Sequence, residues 1–371
     1  MLPSILDEEW CFVKSLLPEC WADAARQLGA IRHEKGLTDP EALLRLILLH
    51  VAGGLSLRNT VVRAAELGWA SMSDVALMKR LQSSEAWLGE LNAQLFARRG
   101  GGWPTGLVVP PGRRLRAVDA TMVKEPGRTG STWRVHYSVE LPSMACDFYE
   151  LTGEEGGEHY RRFPVRRGDI LLADRGYAHR EGVARVMLMG GDVIVRLTST
   201  GFPLQDLDGK PIELLTRFRE LDGLQPCAWP VTFVASILRF EARLCAVRRT
   251  QVAADRAKAE LRELARKKQR RLRPETLELA EYTYMLTTLD ATEFPVANVF
   301  EYYRARWQIE LVFKRLKSLL ALGHLPKHGD VSAPPWITAK LLVALLIERL
   351  LDEARAFSPW GHRVGAALGP S

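Results

Sequence analysis

At about residue 100 the spacing of apolar residues changes, and that change limits the fold more than any other feature of the chain. Residues 1–99 carry apolar side chains at helical spacing. Asp39-Pro40-Glu41 reads as an N-cap, an N1 proline and a first-turn acid. The helix it opens should run to Gly53-Gly54. Ser56 can cap a second helix that stops near Gly68, and Ser71 or Ser73 a third, from Asp74 to Gln82. Gly100-Gly101-Gly102, Pro104, Gly106 and Pro110-Pro111-Gly112 then break the chain. Beyond them, short runs at 115–122, 132–139, 146–151, 169–173, 192–197, 231–238 and 282–288 read as strands. Helical spacing returns at 179–188, 296–320 and 337–356. Strands first, then alternating helix and strand, an interruption and a closing helix predict a mixed α/β sheet with an insertion. The expected division is a helical N-terminal domain at 1–110 and a core at 111–200 and 281–330. Residues 201–280 form a β-rich insertion with a basic helix, and 331–371 a C-terminal helical segment.

A chain of 371 residues, 47% hydrophobic and 26% charged, is that of a folded protein with two or three domains, not a disordered one. The most apolar runs, 43–55 and 341–351, are interrupted by Arg45, His50, Glu348 and Arg349. Both fall short of the ~20 residues of a membrane span. Asp7, Glu8 and Glu9 do not fit a signal peptide. Five scattered cysteines without a C-x-x-C pair suggest neither a disulfide framework nor a zinc ribbon, and a reducing, cytoplasmic setting is expected.

The net charge of +7 is concentrated. Residues 248–273 hold eleven basic side chains, among them Lys267, Lys268, Arg270 and Arg271, against three acids. Ala253, Ala257, Leu261 and Leu264 make the segment helical, with Pro274 expected at its end. Such a helix is either a solvated surface or a contact for polyanionic phosphate. The three N-terminal helices, with Lys79 and Arg80 on the third, fit a helix-turn-helix DNA module and an unrelated bundle alike.

Two strands carry a carboxylate where an apolar residue is expected. Asp119 lies inside Leu115-Arg116-Ala117-Val118-Asp119-Ala120, and Asp174 ends Ile170-Leu171-Leu172-Ala173. A carboxylate there is unfavourable unless paired. If the two strands are neighbours, the aspartates repel one another and call for a divalent cation. Oxygen-only ligands suit Mg²⁺ or Mn²⁺ rather than zinc. On the 296–320 helix, Tyr303, Arg306, Glu310 and Lys317 share an arc of about 60°, while Ala305, Ile309, Val312, Leu316 and Leu319 gather on another face. Glu310 could complete the acidic cluster, or Arg306 and Glu310 could be an ordinary i,i+4 surface pair.

The pattern Tyr303-x2-Arg306-x3-Glu310-x6-Lys317 resembles the YREK signature of a large family of bacterial insertion-sequence transposases. Val118-Asp119-Ala120-Thr121 is similar to that family's first catalytic block, the stretch from Gly127 to Tyr137 to the hairpin after it, and Asp174-Arg175-Gly176-Tyr177 to the second block. The resemblance spans roughly residues 40–350, with 55 residues between the aspartates and 136 on to Glu310.

The resemblance implies a ribonuclease-H-like core interrupted by the insertion, with Asp119, Asp174 and Glu310 as a DDE triad holding two Mg²⁺ or Mn²⁺ ions. It implies cut-and-paste transposition, with DNA hairpins at the excised ends. Arg306 and Lys317 would clamp phosphates and Tyr303 would bond a terminal phosphate. Tyr282, Tyr284 or Trp229 would stack on a displaced base, though each also fits an ordinary core or sheet aromatic. The N-terminal helices, through Lys79 and Arg80, would read terminal inverted repeats, and the basic helix would contact phosphate. Expected partners are double-stranded DNA, as terminal inverted repeats and target, and a second copy of the chain on paired ends. No membrane is expected, and the lack of a G-x-x-x-x-G-K loop argues against ATP. The setting would be the bacterial cytoplasm, at the nucleoid. Two competing readings are a non-catalytic DNA-binding or inhibitor derivative and a structure-selective nuclease on the same fold.

Overall fold

The computed structural model describes residues 5–32, 37–97, 107–127, 132–141, 143–221, 223–326 and 331–356. The breakers at 100–106, Gly130 in the expected hairpin loop and the chain from 357 onward lie outside these.

Six helices come first: α1 (Ile5–Leu16), α2 (Trp21–Gln27), α3 (Pro40–Val51), α4 (Leu57–Glu66), α5 (Asp74–Ser83) and α6 (Glu85–Ala97). The expected caps operate. Asp39 accepts from the N–H groups of Glu41 and Ala42, Ser56 from Asn59, and Ser73 from Ala76. Then come β1 (Arg114–Lys124), β2 (Thr132–Leu141), β3 (Ala145–Thr152), β4 (Asp169–Ala173), α7 (Arg180–Leu188) and β5 (Asp192–Arg196). The interruption holds α8 (Leu214–Arg219), β6 (Cys227–Ala235), β7 (Leu238–Arg248), α9 (Gln251–Lys267) and α10 (Pro274–Leu279). The chain continues with β8 (Tyr282–Thr287), α11 (Val296–Ala305), α12 (Trp307–Leu319) and α13 (Ala333–Ala356).

One eight-stranded sheet has the order β3-β2-β1-β4-β5-β8-β7-β6. β1–β4 and β4–β5 are parallel, and the other pairs are antiparallel. This mixed α/β arrangement fits a ribonuclease-H-like domain. The interrupting segment does not stand apart as strands, because β6 and β7 extend the same sheet through β8.

Alternation divides the core. On β1, Leu115 and Ala117 face a cluster that includes α3, α6, α11, α12 and α13, while Val118 faces a second cluster with Tyr160, Tyr177 and Phe218. The helical N-terminal region is continuous with the first cluster, since α13 runs against α1, α3, α5 and α6 as well as β3. A buried network ties the start of β1 to β3 and to the start of β4. Arg116 ion-pairs with Asp147 at 2.6 Å and Asp169 at 2.9 Å, and Arg114 pairs with Asp169 at 2.7 Å.

Three local expectations change. The basic helix ends at Lys267, closed by Gln269 at φ 50° and by the Arg270 N–H donating to the Ala265 carbonyl. Pro274 opens α10 at its first turn instead of ending α9. The 296–320 helix is two helices, because the Ile309 N–H bonds to the Arg306 carbonyl three residues back and tightens the turn. Arg306 keeps helical dihedrals, so the chain passes from α11 into α12 through a helical residue. Leu319, expected on the buried face, is 77% exposed.

Candidate active site

The β1–β4 ladder runs from Arg114↔Asp169 to Ala117↔Leu172. Each pair is 55 residues apart along the chain, and so are Asp119 and Asp174. The register therefore places the two carboxylates beside one another, two positions past the last pair. Asp119 shares the face of Leu115 and Ala117, toward α12. Its carboxylate accepts from the Ala120 N–H at 2.8 Å. Burial pushes it up to about 6, helped by Glu158 and Asp174, while the Ala120 N–H and Arg306 pull the other way. Asp174 caps the short 3₁₀ turn Arg175–Tyr177 and accepts from the Arg175 N–H.

Arg306 links this pair to α12. Its guanidinium lies 3.7 Å from Asp119 and hydrogen-bonds Glu310, with its carbon 5.7 Å from the centre of the Tyr303 ring. The helix junction thus delivers Tyr303, Arg306 and Glu310 to the sheet carboxylates together. The Arg306 side chain is 11% exposed, against 57% for Glu310. Its Nε and Nη1 are buried without a hydrogen-bond partner among the described residues. Lys317 is exposed, further along α12.

Among the described residues, no three His, Cys, Asp or Glu side chains gather as a metal-binding group. Arg306 stands between Asp119 and Glu310. The donor chemistry nonetheless suits a hard divalent cation. Asp119 and Asp174 offer only oxygens, and Asp119 is desolvated without enough positive charge to hold it in the ordinary carboxylate range.

Three arginines that the sequence does not single out as site residues meet at this end of the sheet. Arg196 ends β5, Arg249 follows β7, and Arg175 follows Asp174. Burial and then Arg175 hold Arg196 below the usual guanidinium range, and burial and then Arg196 do the same to Arg249. Like charges gathered in a half-buried place favour an anion. Burial foremost pushes up the nearby phenols of Tyr284 and Tyr303.

The other candidates are dispersed. Tyr282 and Tyr284 are buried, with ring centres 5.3 and 5.1 Å from Phe218, and Trp229 is 6.1 Å from the same ring. Lys79 is exposed on α5, whereas Arg80 donates to the Ala30 carbonyl at 3.3 Å. Lys267 pairs with Glu263 at 2.7 Å, and Lys268, Arg270 and Arg271 are exposed.

Residues 157–346 match the family model described as a transposase DDE domain. The putative transposase InsL of insertion sequence element IS186A, from Escherichia coli strain K12, is 36% identical over 348 residues, which is 92% of this chain and 93% of that protein. The transposase of IS421 from Escherichia coli is also 36% identical, over 349 residues with the same coverage. The chain belongs to the insertion-sequence transposases with a DDE domain. The transposase of IS231F from Bacillus thuringiensis subsp. israelensis is more distant, 21% identical over 243 residues, 57% of this chain and 51% of that protein. Membership supports DNA transposition as the function, and an enzyme that cleaves DNA and transfers strands. DDE domains generally use divalent metals. The matched region contains Asp174 and Glu310, and Asp119 lies upstream of it. Among the described residues, no helix is long and apolar enough to cross a membrane.

Proposed function

We propose that this transposase cuts and joins DNA at the ends of its own insertion sequence by metal-dependent phosphoryl transfer, as a YREK-type enzyme that forms hairpin ends. One observation carries the reading. Arg306 of the signature touches both Asp119, aligned with Asp174 by the sheet register, and Glu310 on α12.

Asp119, Asp174 and Glu310 are the residues that would hold two Mg²⁺ or Mn²⁺ ions. When bound, these ions activate the attacking water or 3′-hydroxyl and neutralise the leaving oxygen. Arg306 shields Asp119 and Glu310 from each other in the DNA-free protein. A scissile phosphate gives its Nε and Nη1, which lack a hydrogen bond among the described residues, a better acceptor and frees Glu310 to join the aspartates. Tyr303 donates to a terminal phosphate, and Lys317 meets the backbone further along α12. Tyr284, beside the cations of Arg175, Arg196 and Arg249, is the best placed of the three aromatic candidates to stack on a displaced base. Tyr282 and Trp229 support it around Phe218.

The helices within residues 1–110 read the terminal inverted repeats, with Lys79 outward. Lys267, Lys268, Arg270 and Arg271 at the end of α9 add phosphate contacts, and two copies of the chain pair two ends at the bacterial nucleoid. The test is incubation of the full chain with its own element's termini and Mg²⁺. Nicked, hairpinned and joined products are expected. Glu310→Ala should lose all three and still bind ends, and retained cutting by that variant would overturn the role given to Glu310.

A further inference from the structure

The segment between β3 and β4 brings a fourth acid to the aspartate pair. Glu158 is half-buried, with no hydrogen bond or ion pair among the described residues. Its charge bears on Asp119, and Asp174 in turn bears on Glu158. Glu310, by contrast, is engaged with Arg306. A Cβ built on Gly176 would collide with Glu158 Oε2, so this carboxylate lies directly against the backbone two residues past Asp174. Arg134 and His179 also face it, but Arg134 gives Nη1 to the Gly156 carbonyl at 2.7 Å and Nε to the Met122 sulfur.

A second, independent feature points the same way. Tyr177 is fully buried, and its hydroxyl has no hydrogen-bond partner among the described residues. The first two charges that bear on this phenol are Asp119 and Glu158. A fully buried hydroxyl without a partner among the described residues, under the influence of Asp119 and Glu158, is a group that a cation's water could satisfy.

We propose that Glu158 is a positioning residue of the active centre, whose carboxylate, seated on Gly176, orients the water shell of the cation held by Asp119 and Asp174. This rests on the metal-dependent reading above. It also gives the Asp174-x-Gly176-Tyr177 block a physical meaning. The aspartate is the ligand, the glycine leaves room for Glu158, and the tyrosine supplies a buried phenol beneath the site.

The probe is Mn²⁺, titrated into the full chain bound to its end DNA, with free Mn²⁺ followed by electron paramagnetic resonance. Glu158→Gln should weaken Mn²⁺ about tenfold, as expected when an outer-sphere partner is lost. Its metal-free melting temperature in EDTA should not fall, since a repelled carboxylate is removed, its end affinity in EDTA should not change, and Glu158→Asp should recover part of the loss. Gly176→Ala should displace the same carboxylate and weaken Mn²⁺ comparably, with little added effect in the double variant. Asp174→Asn is the reference. If it weakens Mn²⁺ while Glu158→Gln and Gly176→Ala bind as the parent does, the role of Glu158 is overturned and the metal reading stands. If Asp174→Asn binds as the parent does, the metal reading itself fails, and the role of Glu158 with it.

Discussion

Replacing Asp119 with asparagine should make the metal-free transposase more stable. The side chain is 18% exposed, and its carboxyl is raised from an ordinary value of 3.8 to about 6, chiefly by burial. Above about pH 6 it is ionised in both the native and the unfolded chain, and the native state carries the full penalty of a charge it poorly solvates. As pH falls through 6 the native carboxyl takes up its proton first, so stability rises until the unfolded carboxyl is protonated near 3.8. At about 1.4 kcal/mol for each pH unit between those values, the penalty is about 3 kcal/mol. Asparagine has the shape of the protonated acid and removes it. For a chain of this length, a gain of that size raises Tm by about 3–6 °C. The assay is thermal melting in EDTA from about pH 4 to pH 8. The rise should be full near neutrality and vanish near pH 4. Added Mg²⁺ should then stabilise the parent and leave Asp119→Asn unmoved. A variant no more stable than the parent, or stabilised equally at every pH, would refute the claim that Asp119 is held as an under-compensated charge.

Neutralising Lys267, Lys268, Arg270 and Arg271 together should reduce the slope of log affinity for end DNA against log salt by about three, at about 0.9 for each phosphate they no longer neutralise. Lys267 should contribute least, since it is paired with Glu263, and an unchanged slope returns α9 to a solvated face. Arg116→Met should destabilise the fold toward the lower end of the roughly 3–5 kcal/mol of a broken buried pair, because it takes from Asp147 and Asp169 their buried guanidinium and leaves them to share Arg114. A urea midpoint close to that of the parent would show that the network is dispensable. Tyr284→Ala should leave first-strand nicking within about threefold and lower hairpin yield at least tenfold, the reverse of a general packing defect. Equal loss of both products on a denaturing gel would assign Tyr284 to the core around Phe218 alone.

What the sequence discloses here depends on how local the cause is. The caps at Asp39, Ser56 and Ser73 are legible because donor and acceptor lie within three residues. Pro274 is ambiguous for the same reason, since proline suits the position after a helix and the first turn of the next, and only Gln269 in the left-handed region decides which. The aspartates are readable singly, as charges in apolar strands, and their juxtaposition needs one further fact, the parallel pairing of β1 with β4. Joining β6 and β7 to the main sheet needs a pairing across the whole interruption, which no window of residues contains. Leu319 misleads the helical wheel because periodicity says which way a side chain points, not whether the neighbouring surface extends far enough to cover it.

Glu158 and Arg196 are the harder case. Neither belongs to a repeated spacing, and in sequence each is one charged residue among many. Their meaning comes from approach, Glu158 to Gly176 and Arg196 to Arg175. A place where like charges gather with too few opposite charges beside them favours a ligand of the opposite sign. In this transposase the acids beside Asp119 and the arginines beside Tyr284 form two such places at one end of one sheet. On the metal-dependent reading proposed above, a cation toward β1 and a phosphate toward β5 and β8 would set out the two charges that an in-line displacement on DNA needs.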